Sequence, residues 1–307
     1  MASSAAAGGA TPPAPETRDW AALPRDILSM VFLKLGPREV MLGAEFACTA
    51  WRRAALDEPA LWRRVGMDKC HKLWRYVKME HAMNLAAVER SACQCEAFKG
   101  ILLAPDLLDL AQRAPSLKTL NLEHSRDEER SIEELTEALE KFPLLEDLTI
   151  YLPYVLMKED DDLLGYICHA CPRLKKLVVM YASRLDLECN EGEFSKQPID
   201  GGTTLMPELR SLELYQVDLS IEGLNDILDN CPVLESLYVD GYFNRRAMDK
   251  DLRLKCARVK NLTLPSLDRY YEYSSDQYDY YSSEGYDDNS EDDSEDYGDS
   301  SEDDSEE

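Results

Sequence analysis

Between Pro24 and Leu35, apolar side chains recur at steps of three and four residues, at Ile27, Leu28, Val31, Phe32 and Leu35. That spacing predicts an amphipathic helix with one apolar stripe. Pro24 suits its first turn, where a missing N–H is no loss, and Gly36-Pro37 ends it. A second helix is predicted from about Arg38 to Leu56, with Val40, Leu42, Phe46, Ala47 and Trp51 as candidate core. Pro59 then opens a third short segment carrying Leu61, Trp62 and Val65. With Trp20 as the start of order, these pieces make a three-helix unit over residues 19–66. A unit of that size is only marginally stable by itself. Residues 67–92 read as a helical connector, with one short element around Trp74, Tyr76, Val77 and Met79 and an amphipathic helix from His81 to Arg90.

Further on, the pattern becomes periodic. Pro115-Ser-Leu-Lys-Thr-Leu120-Asn-Leu122 has the form Pro-x-Leu-x-x-Leu-x-Leu. It returns at Pro143 (Leu145, Leu148, Ile150), Pro172 (Leu174, Leu177, Val179), Pro207 (Leu209, Leu212, Leu214) and Pro232 (Leu234, Leu237, Val239). A copy without the proline has Val259, Leu262 and Leu264, and Cys95 with Ala97 suggests a weak opening copy. Successive prolines lie 28, 29, 35 and 25 residues apart. Such periods mark leucine-rich repeats, each a strand plus a helix stacked into a solenoid. The outer helices are expected at Leu107–Ala114, Ile132–Phe142, Leu163–Cys171 and Leu224–Cys231. The long interval is the exception: Leu187 to Leu205 has Asn190, Gly192, Pro198, Gly201 and Gly202 and no apolar stripe, which reads as a loop replacing or interrupting an outer helix. The repeats span residues 93–267.

Charge separates the ends from the fold. Residues 268–307 hold 18 Asp and Glu against one Arg, a net of −17 out of −26 for the chain. That segment, rich in Asp, Glu, Ser and Tyr, cannot bury enough apolar surface to fold, and the Ala/Ser/Gly/Pro/Thr lead-in over 1–18 is expected to be disordered too. Ser290, Ser300 and Ser301 each have an acid three places on, the pattern acid-directed kinases prefer, although a solvating tail is the simpler reading. An acidic chain repels phosphate, so nucleic acid is an improbable partner and basic partners fit better. No stretch approaches the roughly 20 apolar residues that span a bilayer, and no secretory leader is recognisable. Nine cysteines without a disulfide-type framework suit reduced thiols, hence nucleus or cytoplasm.

The N-terminal unit resembles the F-box. The resemblance rests on Leu23-Pro24, Asp26-Ile27-Leu28, Val31-Phe32 and Leu35, followed by Cys48, Trp51-Arg52 and Leu61-Trp62. It implies that Leu23, Pro24, Ile27, Leu28, Val31 and Phe32 bind a Skp-type adaptor, which passes the complex to a cullin and its ring subunit. A physical argument agrees: three short helices cannot turn all their apolar side chains inward, Leu23, Pro24, Ile27 and Leu28 are expected to stay partly outside, and exposed apolar patches mark interfaces. The competing reading is that the stripe packs onto the first repeat. The Cys-Pro-x-Leu repeat ends at Cys171-Pro172 and Cys231-Pro232, after an F-box, resemble plant F-box proteins of the Skp-interacting-partner type. That resemblance implies recruitment of a protein substrate for ubiquitination and proteasomal degradation, without naming it.

Alternation along each strand assigns a second surface. If Leu120 and Leu122 face the core, Thr119, Asn121 and Glu123 face the concave side. The same register gives Asp147, Thr149, Tyr151; Lys176, Val178, Met180; Ser211, Glu213, Tyr215; and Ser236, Tyr238, Asp240. Tyr151, Met180 and Tyr215 fall in one column with Tyr238 a step away, and these four are the candidate substrate contacts. Ordinary cross-strand packing would account for them equally well.

No catalytic or metal pattern competes. Cys168-His-Ala-Cys171 and Cys93-Gln-Cys95 lie too far apart for a four-ligand zinc site. Cys171 and Cys231 share a repeat position with Phe142 and Ala114, which marks an apolar packing place. There is no phosphate loop, no zinc-protease motif, no nucleophile elbow, and no cysteine in a basic neighbourhood. The expectation is therefore an all-α F-box followed by an α/β leucine-rich-repeat horseshoe, acting as a non-catalytic receptor subunit without cofactor or metal. The alternatives are a repeat scaffold that binds partners without delivering them to degradation, and an enzyme acting alone.

Overall fold

A computed structural model describes residues 19–66, 74–102, 104–123, 132–152, 163–181, 199, 201, 203 and 205–265. The chain divides into two units, 1–267 and 268–307. The second lies outside the described residues, as do the lead-in and nearly all of the predicted 187–205 loop.

The N-terminal unit opens with a 3-10 turn, Trp20–Ala22, and helix α1, Arg25–Leu35. Asp26 in its first turn and Lys34 in its last complement the helix dipole. Gly36 takes φ +86, a left-handed conformation that costs glycine little, and the chain turns into α2, Pro37–Leu42. The predicted second helix is in fact two. Gly43 stops α2, a 3-10 turn follows at Ala44–Phe46, and extended Cys48 precedes α3, Thr49–Asp57. This break rotates Leu42, Phe46 and Ala47 out of the expected core and into solvent. The third segment is also corrected: only Pro59–Trp62 is helical, as a 3-10 turn, and Arg64–Gly66 is a strand, β1.

β1 is the first strand of the solenoid, not the end of a separate module. Among the described residues the sheet has eight strands in parallel, in chain order. They are β1, β2 (Ala97–Gly100), β3 (Thr119–Leu122), β4 (Asp147–Leu152), β5 (Lys176–Tyr181), β6 (Ser211–Tyr215), β7 (Ser236–Asp240) and β8 (Asn261–Thr263). The described part of the connector carries one outer helix, α4, Trp74–Arg90, lying between β1 and β2. The other outer helices among the described residues are α5 (Ala104–Arg113), α6 (Ile132–Leu139), α7 (Leu163–Ala170), α8 (Ile221–Asn230) and α9 (Lys250–Cys256). The opening repeat is real, but its register differs from expectation. Phe98 and Gly100 pair with Leu120 and Leu122, so Phe98 fills the core place given to Cys95.

The strands bury alternate residues, except that β5 buries three in a row and β8 only half-buries Leu262, and the repeat leucines and isoleucines join one continuous cluster running from Leu28 in α1 to Leu264 after β8. A backbone ladder fixes the stacking before each strand. Glu96, Lys118, Glu146, Lys175, Arg210 and Glu235 each donate N–H to the corresponding carbonyl one repeat earlier at 2.7–2.8 Å. Their side chains pair across repeats, as in Lys175–Glu146 at 2.9 Å, Arg210–Glu235 at 2.7 Å and Lys260–Glu235 at 2.8 Å. These pairs are solvent-exposed, so they favour one register more than they add stability.

Candidate functional site

Two surfaces carry side chains that the core does not use. The first is α1, which is apolar nearly all round. Its packing against α2 and α3 divides it. Leu28 and Phe32 are 3% and 1% exposed, whereas Ile27, Met30 and Leu33 are 47%, 57% and 62% exposed. The latter three stand at i, i+3 and i+6, so they follow one another along the helix surface. The six residues assigned to the adaptor therefore do not form one surface. Leu28 and Phe32 close the interior, with Phe32 meeting the Trp51 ring edge-on at 5.7 Å. Leu23 and Val31 are half-buried, and Pro24 and Ile27 face outward. Met30 and Leu33, missed by sequence reasoning, extend the outward face. The signal was present: a helix with apolar residues on both faces is buried on both, or meets a partner.

Further exposed apolar side chains lie nearby in the chain, at Trp20, Leu35, Leu42, Phe46 and Leu56. Eight of the fifteen large apolar side chains exposed among the described residues thus belong to residues 20–56. Exposed apolar side chains are thus concentrated in this stretch of the chain. The unit beneath it is held firmly: Trp51 Nε1 donates to the Trp20 carbonyl at 2.9 Å, and Arg25 donates to the Asp57 carbonyl at 3.1 Å.

The second surface is the set of strand positions that alternate with the core. Tyr151, Met180, Tyr215 and Asp240 are successive register partners across β4 to β7. Tyr238 stands opposite Glu213 in the adjacent row. The four predicted substrate contacts therefore share one region, and all are half-buried. The Tyr215 and Tyr238 rings lie 5.0 Å apart, tilted by 37°. The Tyr215 hydroxyl donates to Glu213 at 3.0 Å, and Glu213 also pairs with Lys176 at 2.9 Å. Burial and that bond to a carboxylate push the Tyr215 phenol up to about 12, so it remains a donor at neutral pH. Val178 departs from the alternation. It belongs to this face by register but is 6% exposed, outside the core cluster, so it offers no contact area.

Cys168, Cys171 and Cys231 are buried in the repeats. Burial pushes the Cys171 and Cys231 thiols up to about 12, and Cys95 to about 11 despite backbone hydrogen bonds. A thiol so shifted supplies no thiolate near neutral pH. Cys168 Sγ donates to Met206 Sδ at 2.8 Å, which is packing chemistry. Among the described residues no cluster of His, Cys, Asp and Glu is placed to hold a metal, and no helix is long and apolar enough to cross a membrane.

Comparison with known proteins gives matches over both halves of the chain. Residues 20–68 match the F-box-like family, and residues 172–268 match the repeat family described as FBD-associated F-box protein, LRR repeats. The chain is 33% identical to the putative F-box/LRR-repeat protein 22 of Arabidopsis thaliana, over 82% of this chain and 79% of that protein. It is 29% identical to the F-box protein SKIP19 of the same plant, over 81% of this chain and 79% of that protein. Among solved structures it resembles the leucine-rich repeat-containing protein LegL7 of Legionella pneumophila, at 12% identity and a TM-score of 0.39 over 80% of each chain.

Proposed function

The chain belongs to the plant F-box/leucine-rich-repeat family, and on that premise we propose that it is a substrate-receptor subunit of a Skp–cullin–F-box ubiquitin ligase. F-box proteins with leucine-rich repeats point to such a receptor role as a class, and they are typically non-catalytic adaptors. For this chain the proposal is more specific. Pro24, Ile27, Met30 and Leu33 dock a Skp-type adaptor, and the adaptor brings the cullin and ring subunit. Tyr151, Met180, Tyr215 and Tyr238 take a protein target. The chain itself transfers nothing and works in the nucleus or cytoplasm.

One observation carries this reading. The helix that exposes Ile27, Met30 and Leu33 is rooted in a core continuous with that of the repeats. A target held on the sheet is thus fixed relative to the docked adaptor. Fixing geometry raises the effective concentration of target lysines near a charged conjugating enzyme, without any catalytic group on the receptor.

Co-purification tests it. The tagged full chain is expected to retain a Skp-type adaptor and a cullin, and a folded variant with Pro24→Ala and Ile27→Asp is expected to lose both. Adaptor without cullin would favour a non-degradative scaffold, and undiminished capture by the variant would mean that the docking face is misplaced. Ubiquitin transfer by the purified chain alone would overturn the receptor role.

A further inference from the structure

The concave rows contain a two-by-two block with a distinct chemistry. β6 contributes Glu213 and Tyr215, and β7 contributes Tyr238 and Asp240, with Glu213 opposite Tyr238 and Tyr215 opposite Asp240. Aromatic rings therefore occupy one diagonal and carboxylates the other. We propose that this block is a notch for a cationic side chain, so that the target segment presents a lysine or arginine here. The inference rests on the receptor reading and gives its target a chemical class.

Three features support it. The outer faces of two tyrosines packed at 5.0 Å offer an electron-rich surface to a cation. One carboxylate already takes an ammonium group: Glu213 pairs with Lys176 at 2.9 Å. The other does not. Asp240 accepts from the Gln216 amide at 3.3 Å, and no cation pairs with it among the described residues. A carboxylate beside aromatic rings, already oriented by a neutral amide, is ready to bind a cation brought by a partner. Tyr215 is itself pinned by its bond to Glu213, so little ordering is required on binding.

The surrounding row adds a second requirement. Met180 is the register partner of Tyr215 on β5, and Tyr151 is the partner of Met180 on β4. Neighbouring strands stand about 4.8 Å apart, so Met180 and Asp240 are separated by roughly 10 Å across the sheet. An extended peptide crossing the strands covers that distance in about three residues. The segment that fits therefore carries a basic residue with an apolar residue about three positions away. A uniformly acidic segment is repelled by Asp240, whose charge no cation offsets among the described residues.

Selection of a random-peptide display library on the full chain tests the proposal. The expected result is enrichment of Lys or Arg near an apolar residue. The selected peptide should bind Asp240→Asn and Tyr238→Ala roughly tenfold more weakly, and Tyr238→Phe about as well as the parent. Enrichment of peptides without a cation, parental affinity for both disruptive variants, or no enrichment at all would overturn it. Capture of a Skp-type adaptor by the same preparations reads the receptor assignment separately. If the parent captures no adaptor, that assignment fails whatever the peptides show; if all variants capture it, a negative selection counts against the notch alone.

Discussion

Arg90, in the last turn of α4, donates to the Glu45 carboxylate at 2.8 Å, across the boundary between the F-box and the first repeat. Glu45 is nearly buried, and the Arg90 guanidinium also lies 5.0 Å over the ring of fully buried Trp62. One side chain thus joins the 3-10 turn after α2, the last helical turn of the F-box and the first outer helix of the solenoid. Arg90→Ala leaves a carboxylate in a poorly solvated place without its cation. The expected cost is about 3 kcal/mol in urea unfolding. Replacing both partners, as Glu45→Met with Arg90→Leu, should recover much of it, and equal losses for the single and double variants would mean that the pair contributes nothing beyond packing.

Gly223 inverts the usual helix rule. In an exposed helix interior, Gly→Ala stabilises by about 1 kcal/mol. Here a Cβ would lie 2.0 Å from the Ile199 carbonyl oxygen, which also accepts from the Ser220 hydroxyl at 3.1 Å. The chain passes α8 too closely to admit a methyl group. Gly223→Ala is therefore expected to lower the melting temperature, by at least several degrees. A rise would show that the approach relaxes easily.

The buried cysteines set an alkaline limit. Cys171 and Cys231 have thiols raised to about 12 in the folded state, above their ordinary range, because burial disfavours the thiolate. A group shifted this way favours folding while protonated. That contribution is complete below roughly pH 8.5 and is lost as pH rises toward the folded values. Melting temperature should thus fall above about pH 9, and less steeply in a Cys171→Ala, Cys231→Ala variant once its neutral-pH offset is subtracted. Alanine already occupies this place at Ala114. Identical slopes would indicate that these thiols ionise equally well folded and unfolded. Among the seven described cysteines Cys93 is the exposed one, so it should react first with a thiol reagent.

The repeats were legible because their physics is local and recurrent. Pro-x-Leu-x-x-Leu-x-Leu carries both the turn and the strand alternation, so the alignment of Tyr151, Met180 and Tyr215 followed from counting. What failed depends on packing between elements. α2 and α3 look like one helix until Gly43 and extended Cys48 separate them. β1 has three residues, too few to display a period, and only its pairing with β2 identifies it. Which side of α1 turns inward is decided by α2 and α3, so spacing alone could not part Leu28 and Phe32 from Ile27 and Met30. The burial of Val178 likewise lies beyond the reach of alternation along one strand.

The docking face is the centre of the account, and the affinity of the purified full chain for a Skp-type adaptor tests it most directly. Measured by calorimetry, the variant Ile27→Asp, Leu33→Asp should bind at least about a hundredfold more weakly than the parent, since charges would occupy the centre of an apolar contact. Its melting temperature should stay close to the parental value, because both side chains are exposed. Leu254→Asp, at an exposed site on α9, serves as the control and should bind normally. Parental affinity in the Ile27→Asp, Leu33→Asp protein, with the fold intact, would contradict the account.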